Sequence, residues 1–231
     1  MNEKTKIFLV PGAIVVAGII IAMAVLYSGG VIDTTSQTAQ VGEGFAALKS
    51  LKAVNSDDHI LGNASAKVKI VTFSDMDCPY CQRFNSTIKE ILDIYGDKIA
   101  VVYRHFPLTM LHPDAEKKSE ATECAAKLGG NGGFWSYFDK YEEEAAAGKT
   151  FSEELLLDVA ASIGLDREDF STCLRSDEPG KLVKEDADNA AEIGITGTPF
   201  SIILSNNKPV DTIEGAYPIE AVREKLDQYI K

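Results

Sequence analysis

The run Val71-Thr72-Phe73-Ser74-Asp75-Met76-Asp77-Cys78-Pro79-Tyr80-Cys81 constrains this chain more than any other stretch. An apolar segment leads straight into Cys-x-x-Cys, and an amphipathic segment opening Gln82-Arg83-Phe84 follows it. Strand, dithiol, helix is the order a redox-active pair requires, because it sets the first sulfur at a helix N-terminus. There the unpaired backbone N–H groups and the positive end of the macrodipole favour a thiolate over a thiol. Cys78 is the expected nucleophile and Cys81 the resolving thiol. A structural disulfide and half of a zinc site are the plainer alternatives. A structural zinc site needs four ligands, usually two such pairs. No second Cys-x-x-Cys exists, and His59, His105 and His112 show no ligand spacing along the chain, so no metal is expected.

The flanking pattern is α/β. Val68, Ile70, Val71 and Phe73 form a nearly continuous apolar strand, as expected at the centre of a sheet. Phe84, Ile88, Ile91, Leu92 and Tyr95 recur at helical spacing up to Gly96, and Ile99 to Tyr103 is a second β-branched run. This order predicts parallel strands joined by a right-handed crossover. Asp57 to Asn63 reads as an irregular approach to the first strand. From Asp114 to about Asn189 the pattern is helical, with breaks at Gly129-Gly130 and Gly164 and a Ser152 cap. Strands return at Phe200 to Leu204 and Val210 to Ile213 around a Ser205-Asn206-Asn207-Lys208 turn, and a last helix carries Val222 and Leu226. Trp135 and its aromatic neighbours read as packing between insertion helices, and His105 and His112 as hydrogen-bonded structural residues.

Ile7 to Tyr27 contains no charged residue and follows a tip bearing Lys4 and Lys6. This is long enough to cross a bilayer, which takes about 20 apolar residues, and the basic tip would stay in the cytoplasm. A cleaved signal peptide ending near Ala22-Met23-Ala24 competes with the anchor reading, and either way the rest is exported. Residues 1–28 are thus expected to be tip and anchor, 29–44 a flexible linker rich in Gly, Ser, Thr and Gln, and 45–231 the folded domain. The net charge of −12 argues against nucleic-acid binding, which needs clustered basic residues.

From about Ala66 onward the chain resembles the DsbA-like branch of the thioredoxin superfamily. The resemblance rests on Phe73-Ser74-Asp75 leading to Cys78-Pro79-Tyr80-Cys81, on Tyr103-Arg104-His105-Phe106-Pro107-Leu108, and on His112-Pro113 with Ala115. Glu123-Cys124-Ala125, Phe134-Trp135 and Gly194-Ile195-Thr196-Gly197-Thr198-Pro199 complete it. It implies a thioredoxin fold with a helical insertion at about 112–193, preceded here by the single N-terminal transmembrane helix. It also implies thiol-disulfide exchange on exported protein thiols, with the Cys78–Cys81 disulfide as the only redox group. Pro199 would be cis and beside the cysteine pair, and Pro79, Tyr80, Thr198 and Pro199 would form the substrate-binding surface.

The implied partner is a membrane reoxidant, quinone-linked and DsbB- or VKOR-like. Cys124 and Cys173 sit in apolar stripes of the insertion. In an oxidising compartment they would tend to pair, and relatives with both support a structural bridge; two buried free thiols are the alternative. Two departures stand out. The family's acidic residue six positions before the first cysteine is Thr72 here, and neither Asp75 nor Asp77 is assigned its role. The dipeptide between the cysteines is Pro79-Tyr80, without the histidine of strongly oxidising relatives, which predicts an oxidant of intermediate strength. A reductase or isomerase of the same fold, and a non-catalytic binding module with a structural disulfide, remain as other classes.

Overall fold

A computed structural model describes residues 48–230. The expected anchor at 1–28 and linker at 29–44 lie outside the described residues, among which no helix is long and apolar enough to cross a membrane.

The sheet has five strands: β1 (His59–Gly62), β2 (Val68–Ser74), β3 (Ile99–His105), β4 (Phe200–Ser205) and β5 (Lys208–Glu214), in the order β1-β3-β2-β4-β5. Helix α1 (Pro79–Tyr95) provides the crossover that makes β2 and β3 parallel; the other pairings are antiparallel. Every residue of β2 and β3 is buried, so their apolar runs are covered on both faces rather than alternating with polar ones.

Side-chain alternation sorts these strands into two cores. Val68 and Ile70 pack with Phe84, Ile88 and Ile91 of α1 and with Val222 and Leu226 of the last helix, α6 (Ile219–Leu226). Val71 and Phe73 face the other way, onto Ala190, Ile193 and Ile195.

Between β3 and β4 the chain makes four helices: α2 (Ala115–Ala146), α3 (Glu153–Ser162), α4 (Arg167–Leu174) and α5 (Glu178–Glu192). They enclose a third core around Phe134, Tyr137, Phe138, Leu156 and Phe170, joined to the sheet through Tyr103. The Ser152 hydroxyl accepts the Leu155 N–H at 3.1 Å, and the Asp166 carboxylate accepts those of Glu168 and Asp169 at 2.9 Å, so α3 and α4 begin where side chains satisfy their first donors. Cys124 and Cys173 are disulfide-bonded, tying α2 to α4.

Two local features differ from the sequence reading. The stretch read as irregular contains β1, which pairs antiparallel with β3 from His59 opposite Tyr103 to Gly62 opposite Ala100. It is a short edge strand whose pairing is supplied by its neighbour, so it carries no alternation long enough to show. The break at Gly129-Gly130 is a kink inside α2, where Gly130 adopts φ 65° and ψ −163° and the helix resumes. Just beyond it Gly133 passes so close to the preceding turn that a Cβ there would lie 2.4 Å from the Ala125 carbonyl oxygen.

Candidate active site

The dithiol sits where the chain leaves β2. Cys78 is the N-cap of α1 in an extended conformation, with Pro79 opening the helix, the position at which proline's missing N–H costs nothing. The loop before it closes on itself through the Cys78 N–H to the Asp75 carbonyl at 3.2 Å. Negative charge on Cys78 Sγ therefore lies at the positive end of α1.

Both thiols are free, and the Cys78 thiol donates to the Thr198 carbonyl at 3.5 Å, although the two residues are 120 apart in sequence. The Thr198–Pro199 bond is cis, as the resemblance implies. Thr198 and Pro199 therefore border the nucleophile.

Cys81 is 1% exposed and accepts the Asp75 backbone N–H at 3.5 Å. Burial pushes its thiol up to about 12, against 9.0 for an ordinary cysteine. The hydroxyls of Ser74 and Thr198 and the Asp75 N–H pull it back in part, and charge on Cys78 raises it further. Among the described residues neither hydroxyl has another hydrogen-bond partner, so both face the sulfur without being committed elsewhere. The fully buried Tyr103 phenol joins them, its pKa raised first by burial and then by charge on Cys81. The resolving thiol is thus surrounded by neutral hydroxyls. Thr72, in the place of the family's acid, is buried and shares a 3.0 Å hydrogen bond with the Ser201 hydroxyl.

The two nearby aspartates have other tasks. Asp75 is fully buried, and its carboxylate accepts the Asp77 and Leu108 N–H groups at 2.7 Å and His112 Nδ1 at 2.9 Å. It clamps the 106–114 loop beside the dithiol and gives His112 its structural partner. Asp77 pairs with Lys118, whose ammonium also lies 5.0 Å from the Phe151 ring and 6.0 Å from that of Tyr141.

Around the dithiol, Tyr80 is 58% exposed under the Arg83 guanidinium at 5.3 Å, and Met110 and Leu111 of the clamped loop are 96% and 72% exposed. Ser74, Tyr103 and the Asp75–His112 pair escaped the sequence reading. The visible signal was that all four fall within motifs of the resemblance, Ser74 and Tyr103 on strands β2 and β3 and Asp75 and His112 in the loops that follow those strands.

A family model described as Thioredoxin matches residues 54–227. The chain belongs to this family, and its fold and dithiol make it a DsbA-like member of the thioredoxin superfamily. Among solved structures it is similar to Pseudomonas aeruginosa DsbA2, with a TM-score of 0.62 and 27% identity, covering 77% of this chain and 96% of that one. The thiol-disulfide exchange protein alpha-DsbA2 of Wolbachia pipientis superposes with a TM-score of 0.68 at 23% identity, covering 82% and 97% respectively. Among curated proteins, a Na(+)/H(+) antiporter, NhaA 1, of Mycolicibacterium vanbaalenii is 31% identical over 183 residues, 76% of this chain and 28% of the antiporter. Another NhaA 1, of Salinispora arenicola, is 32% identical over 71% of this chain and 24% of its own length. The chain therefore spans about a quarter of the length of the curated relatives it matches.

Proposed function

We propose that the domain is a protein thiol-disulfide oxidoreductase that acts on exported protein thiols outside the cytoplasm. The observation that carries this reading is the asymmetry of the pair: Cys78 at the tip of α1 against Thr198, and Cys81 buried behind it with its proton held tightly.

In the oxidised enzyme a substrate thiolate attacks Cys78 Sγ, the Cys78–Cys81 bond breaks, and the electron pair leaves on Cys81. The raised pKa of Cys81 means that this sulfur then takes up a proton and is retained as a thiol. A second substrate thiolate attacks the substrate sulfur of the mixed disulfide and expels Cys78. The substrate gains a disulfide and loses two electrons, which remain on the reduced pair. Among the described residues no carboxylate stands under Cys81, so the proton passes by way of water and the neighbouring hydroxyls. Tyr80, Met110 and Leu111 offer apolar contact to an unfolded segment, which Pro79, Thr198 and Pro199 would hold against the nucleophile.

The surrounding assignments belong to the same reading. The apolar Ile7–Tyr27 segment anchors the chain with its N-terminus in the cytoplasm, and residues 29–44 tether the domain. The Cys124–Cys173 disulfide supports an oxidising compartment. A quinone-linked membrane partner of the DsbB or VKOR class returns the pair to the disulfide. A reductase or isomerase would run the same steps and is separated by its potential. Cys78→Ser should abolish oxidative refolding of a reduced substrate, and retained refolding would refute the assignment. Redox titration should give a couple of intermediate strength; a potential as negative as about −270 mV would assign the domain to the reductases instead.

A further inference from the structure

A second polar cluster lies outside the dithiol. His59 at the start of β1, His105 at the end of β3 and Glu123 on α2 converge from three elements that are unrelated in sequence. His59 Nε2 lies 2.6 Å and His105 Nε2 2.9 Å from the same Glu123 Oε1, and all three donor atoms fall within 4.8 Å of one another. We propose that they form a binding site for one borderline divalent transition-metal ion, of which Zn2+ is the type.

Four observations support it. Two imidazole nitrogens and a carboxylate suit Zn2+ and its neighbours, whereas Ca2+ and Mg2+ require oxygen. Zinc bonds of about 2.0–2.1 Å at tetrahedral angles space ligands about 3.4 Å apart, so the two His–Glu contacts need to open by less than about an ångström, and the two imidazole nitrogens, within 4.8 Å of each other, to close by at most about 1.4 Å.

Charge balance also favours a cation. Glu123 is joined by Asp186, which accepts the His105 backbone N–H at 2.9 Å, and by Asp58, paired with Arg104 at 2.9 Å. Three carboxylates thus gather at one buried guanidinium and the two imidazoles, the only groups among the described residues that pair with Glu123, while Lys52, which carries its own pairing to Glu185, is half-exposed.

The site is also reachable. His59 and Glu123, though not the fully buried His105, line a cavity of about 330 Å3 whose wall includes Asp57, Asp58, Asn131 and the Lys127–Glu178 pair, so an ion held by the three residues is open to solvent on the His59–Glu123 side. Finally, His105 is fully buried and its Nδ1 has no partner among the described residues, so the bond to Glu123 holds the proton on Nε2; an ion that replaces this contact displaces the proton and takes the Nε2 lone pair.

The test uses the full-length, tag-free chain in detergent with Cys78→Ser and Cys81→Ser, so that the dithiol cannot bind metal, and with the Cys124–Cys173 bridge intact. Titration with Co2+ should give the d–d absorption of a four- or five-coordinate ion, saturating at one equivalent. Zn2+ should displace it and raise Tm. Glu123→Gln and His59→Asn, each folded by circular dichroism, should weaken Co2+ binding by more than about 100-fold, beyond the loss typical of outer-shell changes. Absence of both the absorption and a Zn2+-dependent Tm shift would overturn the proposal and leave a hydrogen-bonded His–Glu–His cluster. Absorption that survives both substitutions would overturn it too, since the ion would then sit elsewhere. Stabilisation by Ca2+ but not by Zn2+ would overturn the assigned class.

Discussion

Protonation of Cys81 separates the roles of the two sulfurs, and its magnitude can be read as a rate. With Cys78→Ser, Cys81 is the remaining free thiol among the described residues. At pH 8 an ordinary thiol near 9.0 is roughly one-tenth thiolate, whereas one near 12 is about one part in ten thousand. Iodoacetamide reacts with the thiolate, so folded Cys81 should be alkylated up to about 1000-fold more slowly than the same residue in urea, the small contribution of charge on Cys78 being lost in this variant, before its burial adds further protection. Quenched time points followed by peptide mass spectrometry measure this directly. Folded and unfolded rates within tenfold of each other would refute the reasoning.

The same shift has a stability counterpart. The folded chain holds the Cys81 proton more tightly than the unfolded chain does, so this contribution is complete below pH 9 and is lost as pH rises toward 12. Between pH 9 and 10, urea melts of Cys78→Ser should lose stability more steeply than those of Cys78→Ser/Cys81→Ala, by up to about 1.4 kcal/mol per pH unit. Comparing the two removes the contributions of the tyrosines that also titrate high. Parallel slopes would contradict the tight proton.

Two further outcomes concern the insertion. Removing the bridge with Cys124→Ala and Cys173→Ala frees a closure of 49 residues and should cost about 4 kcal/mol in the chain-entropy account, on the order of 10 °C in Tm; a shift of 2 °C or less, on the order of 1 kcal/mol, would mean that the helices pack as well without it. Gly133→Ala places a Cβ 2.4 Å from the Ala125 carbonyl and should cost about 1–3 kcal/mol, measured by urea unfolding, whereas unchanged stability would show that the kinked helix yields freely.

The central β2, dithiol, α1, β3 unit was legible because each part has its own periodicity and punctuation. Cys78, Cys81 and the Thr198-Pro199 loop were legible as motifs, and the insertion helices through their stripes and caps. What was hidden depends on contacts between distant segments. The edge strand β1 owes its form to the hydrogen bonds of β3. The three histidines look unrelated along the chain, yet the pairing of β1 with β3 and the packing of α2 bring two of them onto one carboxylate. The surroundings of Cys81 were hidden for the same reason: Ser74 and Tyr103 read simply as strand residues, and only parallel pairing sets them around the sulfur. Asp75 was visible, but its part in clamping the 106–114 loop depends on the path of that loop.

The insertion has a consequence for the order in which the protein assembles. β2 and β4 are neighbours in the sheet, yet the whole of α2 to α5 is made between them, so their pairing closes a long loop and is slow relative to the local contacts of α1 and β3. A chain emerging N-terminus first presents both cysteines long before Thr198 exists to meet Cys78. During that interval the nascent chain carries two ungoverned thiols, both of which later meet Thr198. The enzyme is therefore a client of its own chemistry, vulnerable to mispairing with Cys124 or Cys173 until its last third has been made.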